Sequence, residues 1–254
     1  MADAEMASLA FWLRPDHLVA GGFAMATVKV YSTPLRLYRY RPLGRKLDRE
    51  LRAITEGYIY CPKFDQLNDP MEGMHRESLA YLLKRRPKVE RKMIAEEKAK
   101  LGIASLSEVF DHEPMWAHYA DQFKGMVVAY STSKLLKALP ADFDLVRMAY
   151  NEEPPVILGN DASIRDRAKL TLATKTVRWI SEREWRLIIP ESGRAEYGDA
   201  KCVFRVYLGP RVSPAAEKKI CAAMRALNIP VVKMEVDNYQ VSFSRAGQKL
   251  KSMK

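Results

Sequence analysis

Glu182 and Glu184 stand two residues apart in the stretch KTVRWISEREWRLIIP, residues 175–190. Read as a strand, the stretch puts Trp185, Leu187 and Ile189 on one face and Glu182, Glu184 and Arg186 on the other. Residues two apart on one strand face are about 6–7 Å apart at Cα. Carboxylates at that spacing can form the acidic pair of a small active site. They can equally be a solvated strand face, with one ion pair to Arg186 contributing under ~1 kcal/mol.

Other spacings that carry chemistry are few. GxGxxG, P-loop, HExxH and GxSxG patterns are absent. His17, His75, His112 and His118 lack metal-ligand spacing, so no metal is expected. Cys61, Cys202 and Cys221 are odd in number and unpatterned, and read as buried thiols of a cytoplasmic protein. Asn68-Asp69-Pro70 marks a turn in the loop 62–73, and Phe64, Leu67 and Met71 look like anchors that hold that loop in place. Trp116 and Tyr119 share a face of a short helix, Met115–Gln122, with His118 beside them. Ser131-Thr132-Ser133 follows a buried strand and can be a polar site block or simply the N-cap of the next helix. Arg39 and Arg41 alternate with Tyr38 and Tyr40.

These residues need elements to position them. Strands are expected at Val28–Tyr31, Leu35–Arg41, Tyr58–Cys61, Ile103–Leu106, Met126–Tyr130, Leu145–Tyr150, Cys202–Leu208, Pro230–Val236 and Val241–Phe243. Helices are expected at Lys46–Glu56 with Gly57 as C-cap, across 75–101 with a kink or split at Pro87, at Lys134–Leu139, at Ala162–Thr174, and from Ser213 to Leu227. Strands and helices interleave without regular βαβ spacing. That predicts an α+β fold: a single domain, residues 27–245, with a mixed, mostly antiparallel sheet flanked by helices. Residues 1–26 have acids where a signal peptide has its basic region and read as a loosely held extension, with Met25 a candidate start. No apolar run approaches the ~20 residues of a membrane helix, so no membrane partner is expected.

The net charge is +11, and most of it sits in two places. Residues 84–100 hold eight Lys/Arg against three Glu, and after Asp237 there are four Lys/Arg and no acid. A solvated helix face and the basic tail 246–254 account for this. So does a nucleic-acid-binding surface on that helix and tail.

Five blocks in order, YRYRP (38–42), FDQLNDP (64–70), MWAHYADQFKG (115–125), the Trp179–Arg186 block and VYLGPRVS (206–213), resemble the bacterial domain-of-unknown-function family twenty-nine seventy-one. More distantly, the chain resembles the ADP-ribosyltransferases. These carry an early-strand Arg or His, a later Ser-Thr-Ser or Tyr, and a Glu-x-Glu. Here the positions fall on Arg39 or Arg41, on Ser131-Thr132-Ser133 or Tyr119, and on Glu182-Arg183-Glu184.

The second resemblance implies an enzyme that cleaves NAD and acts on a macromolecular acceptor, in bacterial defence or a toxin system. Glu184 would be the catalytic carboxylate, Glu182 would orient the acceptor, and Arg39 would hold phosphate. Tyr40 or Trp116 would offer an aromatic face. This reading requires Arg39, Tyr119 or Ser131, and Glu184 to converge on one cleft. The alternatives are a non-enzymatic nucleic-acid-binding module, or a nuclease-like hydrolase using Asp69, His118 and Glu184.

Overall fold

Alternation in RLYRYR puts Leu37 and Arg39 on one side of the first strand and Tyr38 and Tyr40 on the other. Such half-apolar strands pair and bury both faces when helices cover them, and that is the arrangement found. The structure is a computed structural model, and it describes residues 32–83, 87–158 and 163–246. The extension 1–26, the strand expected at Val28–Tyr31, the start of the basic run at 84–86 and the tail beyond Ala246 lie outside the described residues. The described residues from Pro34 onward belong to one compact unit.

In chain order the strands are β1 (Arg36–Arg41), β2 (Tyr58–Cys61), β3 (Arg76–Glu77), β4 (Gly102–Ser107), β5 (Met126–Ser131), β6 (Asp144–Arg147), β7 (Ala149–Asn151), β8 (Val156–Ile157), β9 (Thr174–Thr176), β10 (Glu184–Ile189), β11 (Gly193–Glu196), β12 (Val203–Leu208), β13 (Val231–Asp237) and β14 (Gln240–Arg245). Eight of them form one sheet in the order β14-β13-β12-β5-β1-β4-β10-β6. Every pair in it is antiparallel except β12 with β13. The fold is therefore the expected α+β type, with a mixed, mostly antiparallel sheet between helices.

One face carries Leu37, Leu106, Val128, Trp185, Leu187 and Val206. The helices Leu47–Thr55 and Pro214–Ala226 cover it with Leu51, Ile54, Ile220 and Met224, and the β2–β11 pair adds Ile59 and Ala195. Each fully buried aliphatic side chain contributes about 1.5–3 kcal/mol. On the other face, Tyr40, Val127, Ala129 and Tyr207 pack on Trp116 of the helix Glu113–Tyr119. Farther along that face, Ile103 and Ile188 pack on Ile94, Ala168 and Leu172, from the helices Pro87–Lys100 and Ile164–Leu172.

Two expectations change. The helical pattern across 75–101 begins instead as the strand β3, paired with β8. Ser78 then caps a single turn, Leu79–Leu82, by accepting from Tyr81 N, and Pro87 opens a separate helix. Proline suits a first helical position because its missing N–H has no partner there anyway. β11 was not foreseen, since GRAE has no strand-like alternation and pairs only because β2 offers an edge. Gly57 does end its helix, at φ +74, and a Cβ there would lie 2.9 Å from the Gly198 backbone. Among the described residues no helix is long and apolar enough to cross a membrane.

Candidate functional site

The stretch 175–190 is not one strand. β9 ends at Thr176, Val177–Glu182 winds into a 3-10 helix, and Arg183 adopts φ 44, ψ 50. A non-glycine residue in this left-handed region is uncommon, and here it closes the turn that leads into β10. Glu182 thus reaches Glu184 by a turn and not by strand alternation. Within β10 the alternation holds: Trp185, Leu187 and Ile189 join the Leu37 cluster, so Glu184 and Arg186 face the other way. Neither side chain is solvated. Arg186 is 0% exposed and Glu184 4%.

The buried charges meet at Lys175. Its Nζ lies 2.8 Å from Glu182 Oε2, 3.2 Å from Glu184 Oε2 and 3.8 Å from Glu72 Oε1. Arg186 Nε donates to Glu184 Oε1 at 2.8 Å, its Nη1 donates to Leu172 O at 2.6 Å, and its Nη2 pairs with Glu72. Three carboxylates therefore surround two cations, leaving one negative charge in excess. Groups so buried persist only when each is paired, and removing one partner of such a pair costs about 3–5 kcal/mol.

Neutral donors complete the shell. Tyr119 OH donates to Glu182 Oε1 at 2.7 Å. The side chains of Asn68 and Ser105 hydrogen-bond Tyr119 and Glu184. Glu184 N donates to Tyr150 OH at 2.8 Å. The Lys175 ammonium lies 4.7 Å from the centre of the Trp179 ring. Tyr119, Tyr150 and Trp179 are half-buried and Asn68 and Ser105 are exposed, so the network nears solvent beside Tyr119 and also beside Glu184.

The electrostatics separate the acids. Burial pushes the Glu184 carboxyl up, but Arg186 and Lys175 outweigh it and bring it down to about 2. Burial wins at Glu72, whose carboxyl stays above its ordinary value despite Arg186. Burial lowers the Lys175 ammonium, while Glu184 and Glu182 more than restore it, leaving it raised. Tyr119 is raised by burial and by its bond to Glu182, so its phenol stays protonated as the donor.

Loop 62–73 supplies Glu72. Asp69 Oδ1 accepts from Met71 N at 2.9 Å, and Asp69 O accepts from Glu72 N at 3.1 Å. Asp69 is buried as this turn's organiser and has no direct bond to Glu182 or Glu184. Phe64 and Leu67 anchor the loop as expected, but Met71 is exposed. His118 is exposed, its ring 6.2 Å from that of Tyr119.

Of the anticipated residues, Glu182, Glu184, Arg186, Tyr119 and Asn68 come together. Four cofactor-binding candidates do not. Arg39 lies on the opposite face of the sheet, where it donates to Tyr60 O at 2.6 Å, and burial beside Arg41 lowers it to about 10. Tyr40 and Trp116 are core residues packed edge-on, their polar atoms donating to Val109 O and Phe110 O. Ser131 ends β5, which is separated from β10 by β1 and β4.

Sequence reasoning missed Glu72, Lys175 and Tyr150. Glu72 had a signal, two residues after the Asn-Asp-Pro turn in an anchored loop. Lys175 opens the very stretch that drew attention. Tyr150 had none.

Within the described part of the basic helix, three of the cations have acidic partners and a fourth bonds a carbonyl, while Lys88 is exposed. Arg91 pairs with Glu77, Lys92 lies 3.8 Å from Glu96, Lys100 lies 3.6 Å from Glu97, and Lys98 donates to Gly73 O.

A family model matches residues 115–187. Its description is "Protein of unknown function (DUF2971)". The matched span holds Tyr119, Tyr150, Lys175, Glu182, Glu184 and Arg186, and thus most of the network. The blocks at 38–42, 64–70 and 206–213 lie outside it. No curated protein and no solved structure matches the chain.

Proposed function

We propose that the chain is an ADP-ribosyltransferase-like enzyme that cleaves NAD and passes the ADP-ribosyl group to a macromolecular acceptor. The observation that carries this reading is the joining of Tyr119 to Glu182, and of Glu182 to Glu184 through Lys175, in one network that nears solvent at a rim of Tyr119, Trp179, Tyr150, Asn68 and Ser105. The excess negative charge suits a reaction that develops positive charge on a sugar ring.

The roles of the two acids exchange relative to the sequence reading. Glu184 is saturated by Arg186, Lys175 and Ser105 and acts as a positioning residue. Glu182 is the catalytic carboxylate, because one cation and the half-buried Tyr119 hold it, where Glu184 is held by two cations. In the reaction, the bond from ribose C1′ to the pyridinium nitrogen breaks and its electron pair returns to the nitrogen, releasing neutral nicotinamide. An acceptor nucleophile bonds to C1′ and gives its proton to Glu182. Arg39 lies on the opposite face of the sheet, so the convergence required of it is not met, and the reading stands only with its phosphate role moved to other residues. Arg178 and Arg183, exposed and flanking Glu182 in the same turn, hold the phosphates instead. Trp179 offers its ring to the departing base.

Incubation of the protein with NAD labelled in its adenylate half tests this. Label is expected on a macromolecule when cell extract is supplied. No labelled product and no consumption of NAD contradicts the reading.

A further inference from the structure

A cleft of about 510 Å³ opens at the end of the sheet where β1 and β12 begin and β5 ends. Arg36, Ser131, Lys134, Lys201, Phe204 and Asn228 line it, and no carboxylate does. β1 and β4 lie between β5 and β10, so three strand spacings, about 14 Å, separate this cleft from Glu184. It shares no residue with the carboxylate network.

Its polar groups are available to a ligand. The Arg36 guanidinium carbon sits 3.1 Å from the centre of the Phe204 ring. Stacking on an aromatic face fixes the plane of the guanidinium and leaves its N–H edge free for two parallel bonds. Lys134 and Lys201 are exposed. Among the described residues no carboxylate pairs with any of the three cations. The Ser131 hydroxyl makes no capping bond to the helix that follows, so it too can donate. Three like charges around one concavity repel each other and raise its affinity for a polyanion.

We propose that this cleft binds a phosphate or pyrophosphate group, free or carried on a larger molecule, with Arg36 gripping one phosphate through two bonds, Lys134 and Lys201 neutralising it, and Ser131 donating. Its volume admits a pyrophosphate with room for an attached group. The proposal stands apart from the carboxylate chemistry and would survive its failure.

Isothermal titration of the full chain with inorganic pyrophosphate, at fixed ionic strength, tests it, with ADP as second probe. The exposed pair Lys134→Gln/Lys201→Gln should weaken pyrophosphate binding at least ~10-fold, two charge-assisted bonds being lost, with an unchanged melting temperature. The pair Lys88→Gln/Lys218→Gln removes the same charge from exposed positions outside the cleft and should leave binding intact. ADP binding more tightly than pyrophosphate identifies a nucleotide as the source of the phosphate. Equal affinities identify the phosphate alone. Absence of binding to the wild-type chain, or equal weakening by the two pairs, overturns the proposal.

Discussion

Tyr119 and Glu182, 63 residues apart in sequence, are joined by a 2.7 Å hydrogen bond from the phenol to Oε1. The bond ties the helix Glu113–Tyr119 to the turn that precedes β10. It gives Glu182 a neutral donor on one oxygen while Lys175 holds the other.

Tyr119→Phe removes that donor and leaves the buried oxygen short of a partner. A loss of about 1–3 kcal/mol in unfolding free energy is expected, read from denaturant titration. A change below ~0.5 kcal/mol would mean that the bond does not hold the two elements together.

Lys175→Met and Glu72→Gln should differ sharply. The first leaves three buried carboxylates facing Arg186 alone and is expected to cost about 3–5 kcal/mol. The second removes the acid that is in excess, one whose pKa is already raised by burial, and is expected to be neutral or mildly stabilising. Equal losses in the two variants, measured by the same titration, would contradict the charge count at this site.

The pH dependence follows from Glu184. Its folded value, about 2, lies below the ordinary 4.5. Its ionised form therefore stabilises the fold above the unfolded value, and that contribution disappears as pH falls through the folded value. Between about pH 4.5 and 2, stability should fall by on the order of 3 kcal/mol from this group. Glu184→Gln should flatten the acid limb of the stability curve over that window. Unfolding at stepped pH checks it, and an unchanged slope in the variant argues against the assignment.

Gly57→Ala tests the packing behind β2. The position has φ +74, and the new Cβ would meet the Gly198 backbone at 2.9 Å. Neither backbone can give way cheaply, so a loss above ~1 kcal/mol is expected by thermal or denaturant unfolding.

The sheet was legible because its strands alternate. The positions Leu37, Trp185 and Leu187 fall where period 2 puts them, and Ser213 and Gly57 punctuate their helices as their chemistry demands. Half of the site was legible for the same reason, since Glu184 and Arg186 share a strand face. Burial was not legible. The helix Ile164–Leu172 and loop 62–73 cover that face through long-range packing, which no local pattern records. Arg39 and Glu184 stand in the order a transferase needs, yet strand parity sends them to opposite faces, because order along the chain says nothing about side. Tyr150 contributes through a single hydroxyl placed by β7, and its spacing marks nothing.

The carboxylate that meets substrate is the central claim. Nicotinamide release from NAD by the purified wild-type chain supplied with cell extract as the source of acceptor, compared with Glu182→Gln at matched melting temperature and with extract alone, tests it most directly. The account predicts release by the wild type and a loss of at least ~100-fold in the variant, the scale of removing one stabilising or proton-accepting group. Release at the wild-type rate by folded Glu182→Gln, or none from the wild type above that of extract alone, would contradict it.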